Sequence, residues 1–287
     1  MNNIITSKKR PFSLAIYLLI IFGLSWPFLI TAGLWIWAKN ATYVVMFNST
    51  AMIMVTVGTF IAGRYVFKDG FKDAGWRWGK PIHYVLVIAL ALLLFFAPLL
   101  IDLSRSSASL LPGFTWIQLI WMMVVYSVAI MIPGFGEEFG FRGYLLPHLA
   151  RRMTPRKAVA VQGVIYWVWH LPYTIIVGIV SGMRLGGGDV AVVTSIVLLS
   201  VLFSALPGIF DGVLFAYIWS RSGSLAVVTV FHGLFDGIRN ATLEAAGTYP
   251  LFSLWPPAVI IILGAVLLWR GSWKTLQKLI TSTKLTG

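Results

Sequence analysis

The chain contains no cysteine, which excludes disulfides, thiolate metal ligands and a cysteine nucleophile. Charge is scarce: 11% of the 287 residues are charged, against about a quarter in an ordinary soluble domain. Acids are scarcest, with nine Asp and Glu against 22 Lys and Arg and a net charge of +13. So little charge does not cover a water-facing surface. What is present instead is apolar: 59% of residues are hydrophobic, and apolar runs fill nearly the whole length. The expectation is an all-α, polytopic transmembrane helix bundle forming a single membrane domain over 1–287. The basic excess does not point to nucleic acid. The bases fall at helix ends and in short loops, not along one helix face, and no RNA-binding motif accompanies them. That is the pattern anionic lipid and the positive-inside rule select.

A span needs about 20 apolar residues to cross roughly 30 Å of hydrocarbon. Candidate spans lie roughly at 12–38, 43–67, 83–103, 114–133, 156–180, 190–206, 209–221, 224–240 and 256–270. A helix from about 137 to 150 continues the fourth span past a break expected at Pro133-Gly134. The pair 209–221 and 224–240 is short and punctuated by Gly212, Gly223, Gly233 and Gly237, so either member reads equally as re-entrant. Lys8, Lys9 and Arg10 place the N-terminus in the cytoplasm, and Arg270, Lys274, Lys278 and Lys284 place the tail there too. An even number of crossings follows, about eight, in what is expected to be the plasma membrane. Segment 68–80 mixes bases with Phe71, Trp76 and Trp78, as an interfacial stretch or a loop in the aromatic belt would. No internal repeat is evident.

A charged group at membrane depth costs at least about 2.5–3.5 kcal/mol on insertion scales, so function is sought among such groups. Three clusters hold them. The first is Pro133-Gly-Phe-Gly-Glu137-Glu138-Phe-Gly-Phe-Arg142-Gly143. On a helix Glu138 and Arg142 stand at i and i+4 and can pair. Glu137 points about 100° away, free to face a cavity as a general base would. A structural clamp, both glutamates sharing Arg142, is the bland alternative. The second cluster is Tyr166-Trp-Val-Trp-His170-Leu-Pro172, in which Tyr166 lies one turn before His170 and could hold its ring through the hydroxyl. A lone histidine there is more often simply packed. The third is His232-Gly-Leu-Phe-Asp236, where i, i+4 spacing lets the carboxylate orient the imidazole, and Gly233 and Gly237 allow close approach of backbone or substrate. His83 and His148 read as interfacial.

In this order the clusters resemble the CAAX protease and bacteriocin-processing (CPBP, or Abi) family of intramembrane proteases, which includes the Ras-converting CAAX endopeptidases. The family pattern is Glu-Glu-x-x-x-Arg, then Phe-x-x-x-His, then His-x-x-x-Asn or Asp, and the match covers roughly 130–240. Tyr166 stands where the family usually has Phe. The resemblance implies a membrane-embedded endopeptidase acting on a peptide or protein substrate near the cytoplasmic face. It implies that Glu137 activates water with His170 assisting, and that His232 with Asp236 stabilises the oxyanion. Glu138 and Arg142 would shape the site. A neutral Asp236 could donate a hydrogen bond to an oxyanion; an ionised one could only accept. Family members are also named metalloproteases, and Glu137, His170 and His232 would form a catalytic zinc set. The His-Glu-x-x-His helix is absent, and the reading favoured is a glutamate-based, metal-independent mechanism, with zinc as the alternative.

The residues also admit a second class, a transporter or bacteriocin self-immunity membrane protein whose acids and histidines form an ion path. Against it stand the lack of inverted repeats and the gathering of polar groups into three motifs. Glu137, His170 and His232 are expected to converge on one cavity opening toward the end marked by Arg151 and Arg152.

Overall fold

The computed structural model describes residues 11–248, 250–274 and 276–278. The basic triplet Lys8, Lys9 and Arg10 and the tail residue Lys284 lie outside the described residues. The described chain is helical, without a strand, in eight long helices: α1 Leu14–Trp37, α2 Ala41–Val66, α3 Pro81–Ser104, α4 Trp116–Ala150, α5 Pro155–Gly186, α6 Val190–Ser222, α7 Leu225–Ala246 and α8 Pro250–Arg270. All but α7 are long and apolar enough to cross a membrane. The exception carries His232, Asp236, Arg239 and Glu244, so its polarity belongs to its content of ionisable groups. It is packed into the bundle, with Phe231 and Val228 fully buried.

Three sequence expectations change. No break occurs at Pro133: α4 runs through it, and its irregularity comes later, as a π-helical stretch over Phe139–Leu145. Residues 190–206 and 209–221 are one helix, α6, which continues through Pro207. Residues 224–240 belong to a full-length helix rather than a re-entrant turn. The physical reason is shared. Proline and glycine weaken a helix, but neighbouring helices resupply the freed backbone groups and fill the space.

The caps follow local chemistry. Thr115 and Gln118 form a reciprocal capping box at the start of α4, and Asp189 Oδ1 accepts from the backbone of Ala191 and Val192 at the start of α6. Gly187 and Gly223 end α5 and α6 in the left-handed region, where a Cβ would be strained. Helices α4 and α7 pack with little separation because Gly233 and Gly237 face the backbone of Ser127.

Cross-chain bonds sort the helix ends into two groups. At one end Arg152 donates to the Phe12 carbonyl, Asp69 meets His148, Asp73 meets Arg151, and the Leu225 amide donates to Gly75. At the other, Arg184 donates to the Ile36 carbonyl and the Leu111 amide to Ala245. Bases concentrate at the first end, whereas among the described residues only Lys39, Arg105 and Arg184 mark the second. Segment 68–80, expected at the interface, folds against the helices at the basic end. Ala74 is buried, Trp219 Nε1 donates to the Ala74 carbonyl at 3.0 Å, and the Phe71 and Trp76 rings pack on Phe139.

Candidate active site

Glu137 and Glu138 close the α-helical part of α4, just before its π-helical stretch, a wider turn that recurs at functional sites. The two carboxylates diverge as the sequence implies. Glu138 is fully buried, and its Oε1 accepts from Arg142 Nη1 at 3.0 Å. The same oxygen meets His232 Nδ1 at 2.8 Å. Arg142 is also fully buried, its guanidinium carbon 4.2 Å from the Tyr166 ring centroid and 4.9 Å from that of Phe215. Two aromatic faces thus complement the single carboxylate in compensating a buried cation.

Glu137 turns the other way, into a cavity of about 330 Å³. His170, His232 and Asp236 line the same cavity. Glu137 is 2% exposed, and its Oε2 has no partner among the described residues. The structure therefore brings four of the six sequence candidates to one cavity and sets Glu138 and Arg142 directly behind it.

His170 is held by the backbone. Its Nδ1 lies 2.9 Å from the Tyr166 carbonyl, which can only accept, so Nδ1 carries the proton and Nε2 of the neutral ring is an acceptor. This corrects the expectation that the Tyr166 hydroxyl holds the ring. The carbonyl and the ring face make the contacts, and phenylalanine would supply both. His232 differs from expectation as well. Its Nε2 is 3.6 Å from Asp236 Oδ2, beyond hydrogen-bond range, whereas Glu138 holds Nδ1 closely. Asp236 makes its short contact with Arg239, at 2.9 Å. Gly134 matters here because a Cβ at that position would come within 3.0 Å of the His232 ring.

Glu137, His170 and His232 do not meet as a ligand set. Among the described residues no three His, Asp or Glu side chains stand together as a metal site requires.

Sequence reasoning missed two charged residues of the cavity wall, Asp211 and Arg239. Asp211 Oδ1 is buried without a partner among the described residues. A lone acid inside the apolar stretch of α6 was itself the signal. For Arg239 the signal was its i, i+3 spacing from Asp236.

Beyond the catalytic candidates the cavity wall continues with Asn48, Tyr173, Thr174 and Arg239. Each lies one to two turns farther toward the end marked by Lys39 and Arg184. On the basic side, the Arg142 stack and the buried rings of Phe141 and Phe231 fill the space.

A polytopic helical membrane protein with a polar cavity between its helices is the class that fold and site define. Within it, the family model described as "type II CAAX prenyl endopeptidase Rce1-like" matches residues 116–238, a stretch that spans all three motifs. The match supports an assignment to the CPBP/CAAX protease family, the family the motifs resemble. A search of curated proteins finds no match. Seven helices of membrane-spanning length and apolarity make the protein an integral membrane protein, and the matched family suggests a peptidase with a peptide or protein substrate at the membrane.

Proposed function

We propose that the protein is an intramembrane endopeptidase in which Glu137 activates the attacking water. The observation that carries this reading is the division of labour between adjacent glutamates. Glu138 is consumed by Arg142 and His232, while Glu137 lines the cavity shared with both histidines and its Oε2 has no partner among the described residues. A carboxylate free of a cation partner and facing a water-sized space is what a general base requires.

In the proposed reaction, water attacks the carbonyl carbon of the scissile peptide and Glu137 takes its proton. His170 Nε2, an acceptor because Nδ1 is bonded to the Tyr166 carbonyl, holds the same water. The carbonyl oxygen becomes an oxyanion beside His232. Flanked by Glu138 and Asp236, that ring can carry protons on both nitrogens and donate one bond to the oxyanion. The carbon–nitrogen bond then breaks, and the proton held by Glu137 passes to the departing amine. Asp236, paired with Arg239, acts as acceptor only. Standing 3.6 Å from His232 Nε2, it offsets positive charge on that ring rather than donating to the oxyanion.

The test compares membranes bearing wild type with Glu137→Gln and follows peptides by mass spectrometry. A cleavage product that disappears in the folded variant supports hydrolysis by this site. An unchanged peptide pattern rejects it.

A further inference from the structure

We infer that Asp211 recognises a basic side chain, arginine or lysine, of the peptide bound in the catalytic cavity. The inference rests on the proposed peptidase reading for the word peptide, but the cation site itself stands on the geometry of the cavity wall.

Asp211 is the acid that the proposed reaction leaves idle. Between its cap Asp189 and Arg221, α6 carries no other charge. An acid at that depth is costly and calls for a compensating role. It belongs to the face of α6 that meets the cavity: Ser204, Gly208, Asp211 and Phe215 all line it, at spacings that keep them on one side of a helix. Asp211 makes no ion pair among the described residues, and its Oδ1 is buried without a partner.

The charges around the cavity show what is missing. Arg142 is held by Glu138 at 3.0 Å, and Arg239 by Asp236 at 2.9 Å. Arg239, the arginine of the cavity wall, is thus already engaged. A His232 carrying both protons offsets one further acid, the base Glu137. Three cations then face four acids, and the acid left over is Asp211. A buried carboxylate of this kind gains most from a charged donor that arrives with a ligand.

The neighbouring side chains select the kind of cation. Trp167 lines the same cavity and lies against Gly208, one turn before Asp211, where a Cβ would come within 2.9 Å of Trp167 Cδ1. Tyr166, Tyr173 and Phe215 add aromatic rings to the wall. Aromatic faces beside a carboxylate suit a guanidinium or ammonium group. A metal ion would want several acids or histidines together, and among the described residues no three stand so. A basic side chain of the bound peptide meets both demands.

The test begins with probes that need no turnover. Protein carrying Glu137→Gln, in nanodiscs of zwitterionic lipid, is titrated with butylguanidinium and with its neutral counterpart butylurea. Its melting temperature should rise with the guanidinium and not with the urea, and the rise should vanish when Asp211→Asn is added. An equal response to both probes, or a rise that survives Asp211→Asn, overturns the inference. The comparison of the two probes with Asp211 intact decides the matter even if the asparagine variant does not fold. Turnover is read separately, by mass spectrometry of peptides extracted from native membranes. Sites cut by wild type should carry arginine or lysine at a fixed distance from the scissile bond. In Asp211→Asn the preference for those sites over sites without a base should fall about ten- to a hundredfold, the span of one charge-assisted hydrogen bond. A loss equal at basic and neutral sites overturns the inference. If wild type cuts no peptide, the peptidase reading fails, while the probe titration still decides whether Asp211 binds a cation.

Discussion

Glu138 holds His232 at 2.8 Å across 94 residues of sequence, while Asp236, one helical turn from His232, stands 3.6 Å away. One carboxylate oxygen thereby links the Glu-Glu-x-x-x-Arg helix to the His-x-x-x-Asp helix and neutralises Arg142 as well. The register of two elements rests on a single buried acid.

Replacing that acid should be costly to stability. Glu138→Ala leaves Arg142 buried and uncompensated, at a cost of about 3–5 kcal/mol. Glu138→Ala combined with Arg142→Met should recover much of the loss, because removing both partners of a buried pair is often close to neutral. Thermal melting in detergent reads both. Glu137→Gln, which neutralises a carboxylate with an unpartnered oxygen, should melt no lower than wild type. A Glu137 variant less stable than the Glu138 variant would reverse the assigned roles.

Tyr166→Phe should fold and retain activity, since the contacts to His170 and Arg142 come from the carbonyl and the ring face. Tyr166→Leu keeps the carbonyl but removes the aromatic face under the guanidinium, at about 0.5–2 kcal/mol for a cation–π contact. Melting temperature alongside peptide cleavage separates the two variants. Loss of cleavage in the phenylalanine variant would assign a chemical role to the hydroxyl.

Gly237→Ala touches no catalytic candidate, yet its Cβ would collide with the backbone of Ser127 on α4. Forcing the helices apart should cost about 1–3 kcal/mol. It should also lower cleavage by moving His232 away from Glu138. Undiminished stability and activity would show that the packing of α4 on α7 does not set the site.

Asp69→Ala removes the acceptor shared by Tyr144 and His148. The pair is partly exposed, so global stability should change by about 1 kcal/mol or less. Limited proteolysis within 68–80 should nevertheless accelerate, because the segment is fastened at that point. Proteolysis at the wild-type rate would mean that other contacts hold the segment.

Much of this arrangement is legible in the sequence because the bilayer penalises charge. Glu137, His170, His232 and Asp236 stand out against apolar neighbours, and all four reach one cavity. The pairing of Glu138 with Arg142 follows from helix spacing alone. The bond from Glu138 to His232 does not, because a contact between helices depends on their register, and that register is set by Gly233 and Gly237 against Ser127. The continuity of α4 through Pro133 and of α6 through Pro207 was hidden for a related reason: packing against neighbours overrides local helix-breaking tendency. How segment 68–80 folds back against the helix ends is likewise not revealed by its mixture of bases and aromatics.

The most direct test of the central claim is hydrolysis in heavy-oxygen water by purified protein in lipid, with peptides extracted from the native membrane as substrate. Glu137-dependent water attack predicts that a new peptide carboxyl terminus carries one heavy oxygen with wild type, and that this product is lost with Glu137→Gln of unchanged melting temperature. The same labelled product formed at an undiminished rate by Glu137→Gln would contradict the account.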